Sequence, residues 1–397
     1  MKEKHQKHAK LTRSNVGNFS RLEWSIIGTP CGNIQDLAEK LGEKLTPQYK
    51  IGYVDADHKA GDDEANLTPF SAKYTDKIGF HRLDFEQHNW TPFQFRPLFN
   101  NADIVLVNGN HFTAARQIVV LDPRKMESLS RKLDRLTQID LFLIVNTEGS
   151  VSDLATFKKL PNLENDVDKW ADVPIFNISE IDKIADFLAS KIDVPPLKSL
   201  ILAGGKSQRM GTDKAALNYH GKPQSQILID ILRGCNTPPH VSCRAEQAID
   251  FLLDLAAEDV PIIADTFLEL GPYGAILSAF RHDPNAAWLV VACDLPLLDA
   301  ETLKFLIKNR KLSAVATAFK SPQSADSFPE PLITIWEPRA YPILLSFLAQ
   351  GISCPRKVLI NSDIELLDVP NVEALMNVNT PEEKALVELK IKTVTRP

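Results

Sequence analysis

Short apolar, β-prone runs alternate with amphipathic stretches along most of this chain, and that rhythm restricts it to an α/β architecture built on mainly parallel sheet. In the first half "WSIIG", "IGYVDAD", "ADIVLVNGN", "RQIVVLD", "DLFLIVN" and "VPIFNIS" read as strands, and "IQDLAEKLGEKL", "SLSRKLDRL" and "EIDKIADFLASKI" as helices. "KIDVPPLKS" breaks the rhythm, because Pro195 and Pro196 cannot continue a helix and push their neighbours toward extended backbone. A second series follows, with strands "SLILAGG", "HVSC", "VPIIAD", "WLVVACD", "SAVATAF" and "PLITIWE" interleaved with helices such as "EQAIDFLLDLAAE" and "AETLKFLIKN". At 397 residues the chain exceeds one ordinary core. The expectation is two doubly wound domains, residues 21–193 and 199–397, joined by a linker at 194–198 and preceded by a basic, disordered tail at 1–20.

The net charge of -6, from 51 acidic and 45 basic residues, gives no general reason to expect nucleic acid or an anionic membrane as partner. The basic "MKEKHQKHAK" has no apolar segment or small-residue cleavage site behind it, so it does not read as a signal peptide. No apolar run approaches the roughly 20 residues that span a bilayer. Five cysteines without a CxxC pair fit neither a disulfide framework nor a zinc site. A cytoplasmic location is expected.

The stretch "LAGGKSQRMGTDK" concentrates the chemistry. Gly204 and Gly205 let the chain turn sharply where a strand ends and remove the Cβ atoms that would hold a phosphate away from backbone N–H groups. Arg209 and Lys214 then supply positive charge, the first through a planar fork and the second as a mobile point. Alone, a GG pair is as well read as a turn with solvated basic neighbours. Asp294, at the end of "WLVVACD", is by itself adequate as a helix N-cap. "NVNTPEE" likewise reads as an N-cap followed by proline at the first helical position.

Together these segments resemble the small nucleotidyltransferases, most closely the molybdenum cofactor guanylyltransferases of the MobA type. The resemblance covers the second half from about Lys198 onward. It implies a Rossmann-like fold and transfer of GMP from GTP to molybdopterin or its molybdenum-loaded form, with release of pyrophosphate. It further implies a nucleotide site of Leu202, Ala203, Gly204, Gly205, Lys214, Arg244 and Asp265, with the Gly271, Pro272 and Gly274 turn preceding a helix. Arg209, Lys214 and Asp294 would carry catalysis, Asp294 as the Mg²⁺ ligand with Asn379 near the metal and the acceptor. Molybdoenzyme apoproteins are the implied downstream partners. Two departures bear on the base: Pro272-Tyr273-Gly274-Ala275 replaces a Pro-Leu-Ala-Gly turn, leaving Tyr273 to stack on a base or narrow the pocket, and Arg244 stands where some relatives carry asparagine. The "LAGG" form tilts the choice toward GTP. CMP transfer, another phosphorylated acceptor, or non-catalytic delivery of the cofactor are the alternatives.

The first half resembles, in outline, the MobB-type adaptor of molybdopterin-guanine dinucleotide biosynthesis, through "WSIIGTPCGNIQDLAEKL" and "YVDADHK". A working P-loop reads G-x-x-x-x-G-K-[ST]. Here Gly28 and Gly32 are one residue too close, Asn33 replaces the lysine and Ile34 the hydroxyl residue. The expectation is a degenerate adaptor domain that does not hydrolyse NTP.

Overall fold

The computed structural model describes residues 17–56, 72–77, 80–85, 92–145, 157, 170, 172–203, 217–244, 259–322 and 328–394. The chain divides into two compact units, Met1–Asp193 and Val194–Pro397.

In the first unit the order is β1 (Glu23–Ile27), α1 (Cys31–Leu45), β2 (Ile51–Val54), β3 (Ala72–Lys77), β4 (Phe80–Phe85), α2 (Pro92–Leu98), β5 (Ile104–Asn108), β6 (Arg116–Leu121), α3 (Met126–Ser130), β7 (Ile139–Ile144), β8 (Ile175–Asn177) and α4 (Ile181–Ser190). Six strands form a wholly parallel sheet in the order β2-β5-β1-β6-β7-β8. Strand periodicity sends alternate residues to opposite faces. Thus Trp24 and Ile26 pack with Ile34, Leu37 and Leu41 of α1 and Ile184 of α4, while Ile27 joins Val119, Phe142 and Phe157 on the other side. β3 and β4 make a separate antiparallel hairpin.

The single helix expected over "SLSRKLDRL" is instead interrupted. α3 stops at Ser130 and a short 3₁₀ turn occupies Leu133–Arg135. Tertiary bonds account for the break: Lys132 Nζ donates to the Asn110 carbonyl at 3.2 Å and Arg135 Nη1 to the Gly109 carbonyl at 3.0 Å. One uninterrupted helix would have to give up those contacts.

The second unit runs β9 (Leu197–Leu202), α5 (Gln224–Gly234), β10 (Pro239–Cys243), β11 (Ile262–Ala264), α6 (Pro272–His282), β12 (Ala287–Ala292), α7 (Ala300–Lys308), β13 (Ala316–Lys320), β14 (Pro329–Trp336), α8 (Ala340–Ala349), α9 (Pro355–Ile360), β15 (Glu365–Leu367) and α10 (Pro381–Val394). Its seven strands are ordered β11-β10-β9-β12-β14-β13-β15, with β14 antiparallel to its neighbours. β12 shows why the sheet is covered on both sides. Leu289 and Val291 pack among Leu228 and Leu232 of α5 and Leu303 of α7, whereas Trp288 and Val290 pack among Ile276 and Phe280 of α6 and Leu344 of α8. Burying each such side chain is worth about 1.5–3 kcal/mol.

An ion pair closes the amino edge of this unit. Arg310 forks onto Glu337, with Nε donating to Oε1 at 2.6 Å and Nη2 to Oε2 at 2.8 Å, while Nη1 reaches the Pro195 carbonyl at 3.1 Å. Burial pushes the Glu337 carboxyl above its ordinary range even though Arg310 opposes the shift.

Candidate active site

The four strands β11-β10-β9-β12 repeat the three-two-one-four order of a doubly wound fold, which places a topological switch point between β9 and β12. Ligands bind such sheets outside the carboxyl ends of the strands. Those ends are in register: Leu202 lies beside Ser242 on one side and Ala292 on the other, and Cys243 lies beside Ala264. The chain therefore releases Ala203, Arg244, Asp265 and Asp294 along one edge. Backbone bonds fix the first and third of these, Ala203 N–H donating to Ser242 O at 2.9 Å and Asp265 N–H to Cys243 O at 3.0 Å. Gly204, Gly205, Arg209 and Lys214 lie outside the described residues, as do 245–258.

At the β11 end, the Ser242 hydroxyl donates to Asp265 Oδ1 at 2.7 Å. Burial raises the Asp265 carboxyl above its usual range, and the Ser242 bond and the nearby Arg244 charge oppose that rise. The segment that follows differs from expectation. Gly271 caps α6 with φ of 55°, Pro272 opens the helix, and Gly274 lies inside it rather than in a preceding turn. The glycine is needed for packing, since a Cβ there would stand 2.1 Å from the Phe267 carbonyl oxygen. Ser278 ties the same loop down, accepting from Thr266 N–H at 2.8 Å and donating to Gly274 O at 2.7 Å. Tyr273 is not a base-stacking residue: it is fully buried in the core, and its hydroxyl donates to the Leu344 carbonyl at 2.7 Å. Its aromatic bulk fills the α6–α8 layer, where the periodicity of α6 directs it.

At the β12 end, Asp294 is half-buried, and its carbonyl accepts from Val378 N–H at 2.9 Å. That one bond brings the Asn377–Asn379 segment beside Asp294, although Asp294 and Asn377 lie 83 positions apart in sequence. Asn379 then leads into a capping box. Glu383 Oε2 accepts from the N–H groups of Asn379 (2.6 Å) and Thr380 (3.1 Å), and Glu383 N–H returns to Thr380 Oγ1 at 3.3 Å. The two readings of "NVNTPEE" are therefore compatible in one geometry. Gln224 Nε2 supports the same loop by donating to Leu295 O at 3.1 Å.

Glu330 is a further acidic residue in this neighbourhood that the sequence did not single out. The antiparallel register of β12 and β14, with Val291 beside Ile333, brings the start of β14 alongside the end of β12. Glu330 is buried, and its carboxyl is raised chiefly by burial, opposed by Arg356 and further raised by the charge of Asp294. Arg356 Nη2 donates to its Oε2 at 3.2 Å. The available signal was a charged residue between Pro329 and Pro331 at the head of an apolar strand. Asp265 and Asp294 leave strands three positions apart, about 14 Å at ordinary strand spacing, so a ligand bridging them lies across the switch point.

The acidic groups near the end of β12, Asp294 and Glu330, offer hard carboxylate oxygens, and the Val378 bond brings Asn379 into the same stretch of chain, a donor chemistry that suits Mg²⁺ rather than a thiolate- or imidazole-seeking metal. Among the described residues no group of three or more His, Cys, Asp or Glu could hold a metal. A Mg²⁺ ion at this edge would accordingly complete its shell with phosphate oxygens and water.

In the first unit the loop between β1 and α1 is tied down by its own side chains. Gly28 has φ of 99°, and a Cβ there would fall 2.3 Å from the Val120 carbonyl oxygen. Thr29 Oγ1 donates to Asp122 Oδ2 at 2.8 Å, and Asn33 Nδ2 turns back to Thr29 Oγ1 at 3.2 Å. The Asp57–Lys59 part of "DADHK" lies outside the described residues. No helix among the described residues is long and apolar enough to cross a membrane.

Comparison with known proteins gives one family match, and it falls in the second unit. Residues 199–364 match the MobA-like NTP transferase domain. A molybdenum cofactor biosynthesis bifunctional protein from Synechocystis is 33% identical over 51% of this chain and 57% of its own length, so the match spans little more than half of that relative. A probable molybdenum cofactor guanylyltransferase from Nostoc is 29% identical over 48% of this chain and 90% of its own. The solved molybdopterin-guanine dinucleotide biosynthesis protein A from Archaeoglobus fulgidus aligns at 22% identity over 49% of this chain and 99% of its own, with a TM-score of 0.42.

Proposed function

We propose, from the match of residues 199–364 to the MobA-like NTP transferase domain, that this protein transfers GMP from GTP to molybdopterin or its molybdenum-loaded form. The observation that carries the reading is the junction at the switch point, where Asp294 at the end of β12 is bonded through its backbone to the Asn377–Asn379 segment. In this reading a terminal phosphate oxygen of the acceptor attacks the α-phosphorus of GTP, the bond to the bridging oxygen breaks, and pyrophosphate departs. Two anions must meet, so positioning and charge neutralisation supply most of the catalysis. Arg209 and Lys214 take the triphosphate charge, Asp265 orients the nucleoside at the β11 end, and Asn379 faces the acceptor. Asp294 would hold Mg²⁺, which when bound supplies neutralisation of the phosphate oxygens.

The burial of Tyr273 removes one reason to doubt guanine, because that side chain does not reshape a base pocket. Arg244 remains the departure at the base end. The first domain is read as a degenerate adaptor that scaffolds a partner or the cofactor, and molybdoenzyme apoproteins are the natural recipients of the product. Incubation of the protein with each NTP, Mg²⁺ and molybdopterin tests the reading, scored by pyrophosphate and dinucleotide formation. GTP-dependent product is expected. Turnover of CTP alone overturns the choice of nucleotide, and binding of the cofactor without any pyrophosphate overturns the assignment as a transferase.

A further inference from the structure

β10 is buried along its whole length, and Ser242 within it is only 1% exposed. A hydroxyl removed from water is costly unless it is hydrogen-bonded. This one donates across the strands to Asp265 Oδ1, 23 residues further along the chain. Asp265 is also anchored through its own N–H to Cys243 O, so both ties run back to β10. Among the described residues no other hydrogen bond reaches that carboxylate, which leaves Oδ2 with acceptor capacity at the carboxyl edge of the sheet.

We infer that Ser242 is a positioning residue for nucleotide binding: it fixes Asp265 Oδ1 so that Oδ2 accepts a hydrogen bond from a nucleoside donor, a ribose hydroxyl or a base N–H. The inference rests on the reading of this domain as a nucleotidyltransferase. Its physical basis is that an aspartate fixed through its backbone and through one carboxylate oxygen loses little rotational freedom on binding, whereas an untethered one must be ordered by the ligand. Burial already pushes the Asp265 carboxyl above its usual range, and the serine hydroxyl opposes that rise, so the same bond that orients the carboxylate also favours its charged form.

The test uses the full-length protein with Mg²⁺, measuring Kd by calorimetry for GTP, 2′-deoxy-GTP and ITP, together with KM and kcat from pyrophosphate release. Ser242→Ala is expected to weaken GTP binding about tenfold, the scale of one hydrogen bond to a charged acceptor, with kcat within about twofold of wild type. Ser242→Thr restores the hydroxyl and should restore the affinity. The analogue missing the donor that Asp265 receives should bind wild type and Ser242→Ala alike, which separates ribose from base. In an Asp265→Asn background, Ser242→Ala should cost no further affinity, because the serine acts only through the carboxylate.

Equal Kd values for wild type and Ser242→Ala overturn the inference, as does a further loss in the Asp265→Asn background or a fall in kcat at constant KM. Should Ser242→Ala fail to fold, Ser242→Thr and Asp265→Asn decide the matter. Wild-type affinity in the first with a weakened Kd in the second supports the inference, and unchanged affinity in Asp265→Asn overturns it. Absence of any nucleotide binding by wild type removes the functional reading and this inference together, whereas wild-type binding with an indifferent serine removes this inference alone.

Discussion

Tyr273 offers a direct test of where the nucleotide pocket ends and the core begins. Its ring is fully buried beside Ile276, Trp288 and Trp336, and its hydroxyl donates to the Leu344 carbonyl at 2.7 Å. Tyr273→Phe keeps the ring and deletes one buried hydrogen bond, which should destabilise the domain by about 1–2 kcal/mol. For a domain of this size that corresponds to a fall in Tm of about 2–8 °C. Tyr273→Ala removes the ring as well and should cost about 3–5 kcal/mol. Urea unfolding followed by tryptophan fluorescence is the natural assay, because Trp288 and Trp336 lie in the same cluster and report on its loss. Tyr273→Phe should lower the midpoint at constant slope and leave the GTP Kd within about twofold, the slope being set by the surface exposed. A tenfold loss of GTP affinity with an unchanged midpoint would refute the reasoning and return Tyr273 to the ligand.

Arg310→Ala should cost about 3–5 kcal/mol near neutral pH, because it strands the buried Glu337 carboxylate. Since Glu337 is raised above 4.5 in the folded protein, the folded state retains a proton that the unfolded state releases. Stability is therefore lost as pH rises above that value, and the penalty of Arg310→Ala should shrink toward acid pH, as read from urea midpoints across pH. Asp294→Asn should abolish pyrophosphate release while circular dichroism stays unchanged, and near wild-type turnover would move the metal elsewhere. Arg209→Ala and Lys214→Ala should each slow turnover by about 10²-fold and weaken triphosphate binding, as single-turnover kinetics would show. Titrated separately with GTP and ATP in Mg²⁺, residues 1–196 should give no heat and residues 197–397 should, so micromolar binding by the first fragment would contradict the reading drawn from Asn33 and Ile34.

The strands were the legible part of the fold. "WLVVACD" could be read as a strand because its first five residues, Trp288 to Ala292, are continuously apolar, and all five are buried in β12. α6 was obscured because Gly271-Pro272 followed by Gly274 has the composition of a turn, while the reason for the second glycine is the Phe267 carbonyl, a contact that sequence alone does not announce. α8, "AYPILLSFLA", carries too little polar patterning to betray a helical period. The separate β3–β4 hairpin is polar enough to pass for loop. At the site, Asp265 and Asp294 stood out because each follows an apolar strand. Ser242 and Glu330 did not: a serine within a strand acquires meaning only from the carboxylate it meets, and Glu330 only from the antiparallel pairing that sets it near Asp294.

The in-register strand ends make the geometry of this edge a matter of counting residues. Asp294 comes two positions after Ala292, whose place is set by the pairing of six consecutive β12 residues with Leu197–Leu202. Because successive side chains point to opposite faces, deleting one residue from β12 would exchange the Leu289 and Val291 face for that of Trp288 and Val290, disrupting both cores at once. Realigning the apolar residues instead would draw Asp294 back by about one strand residue, some 3.3 Å, and pull its carbonyl from the N–H of Val378. Single-residue insertions and deletions in β9 and β12 should therefore be the poorest tolerated changes in this domain, even where every remaining side chain keeps its identity.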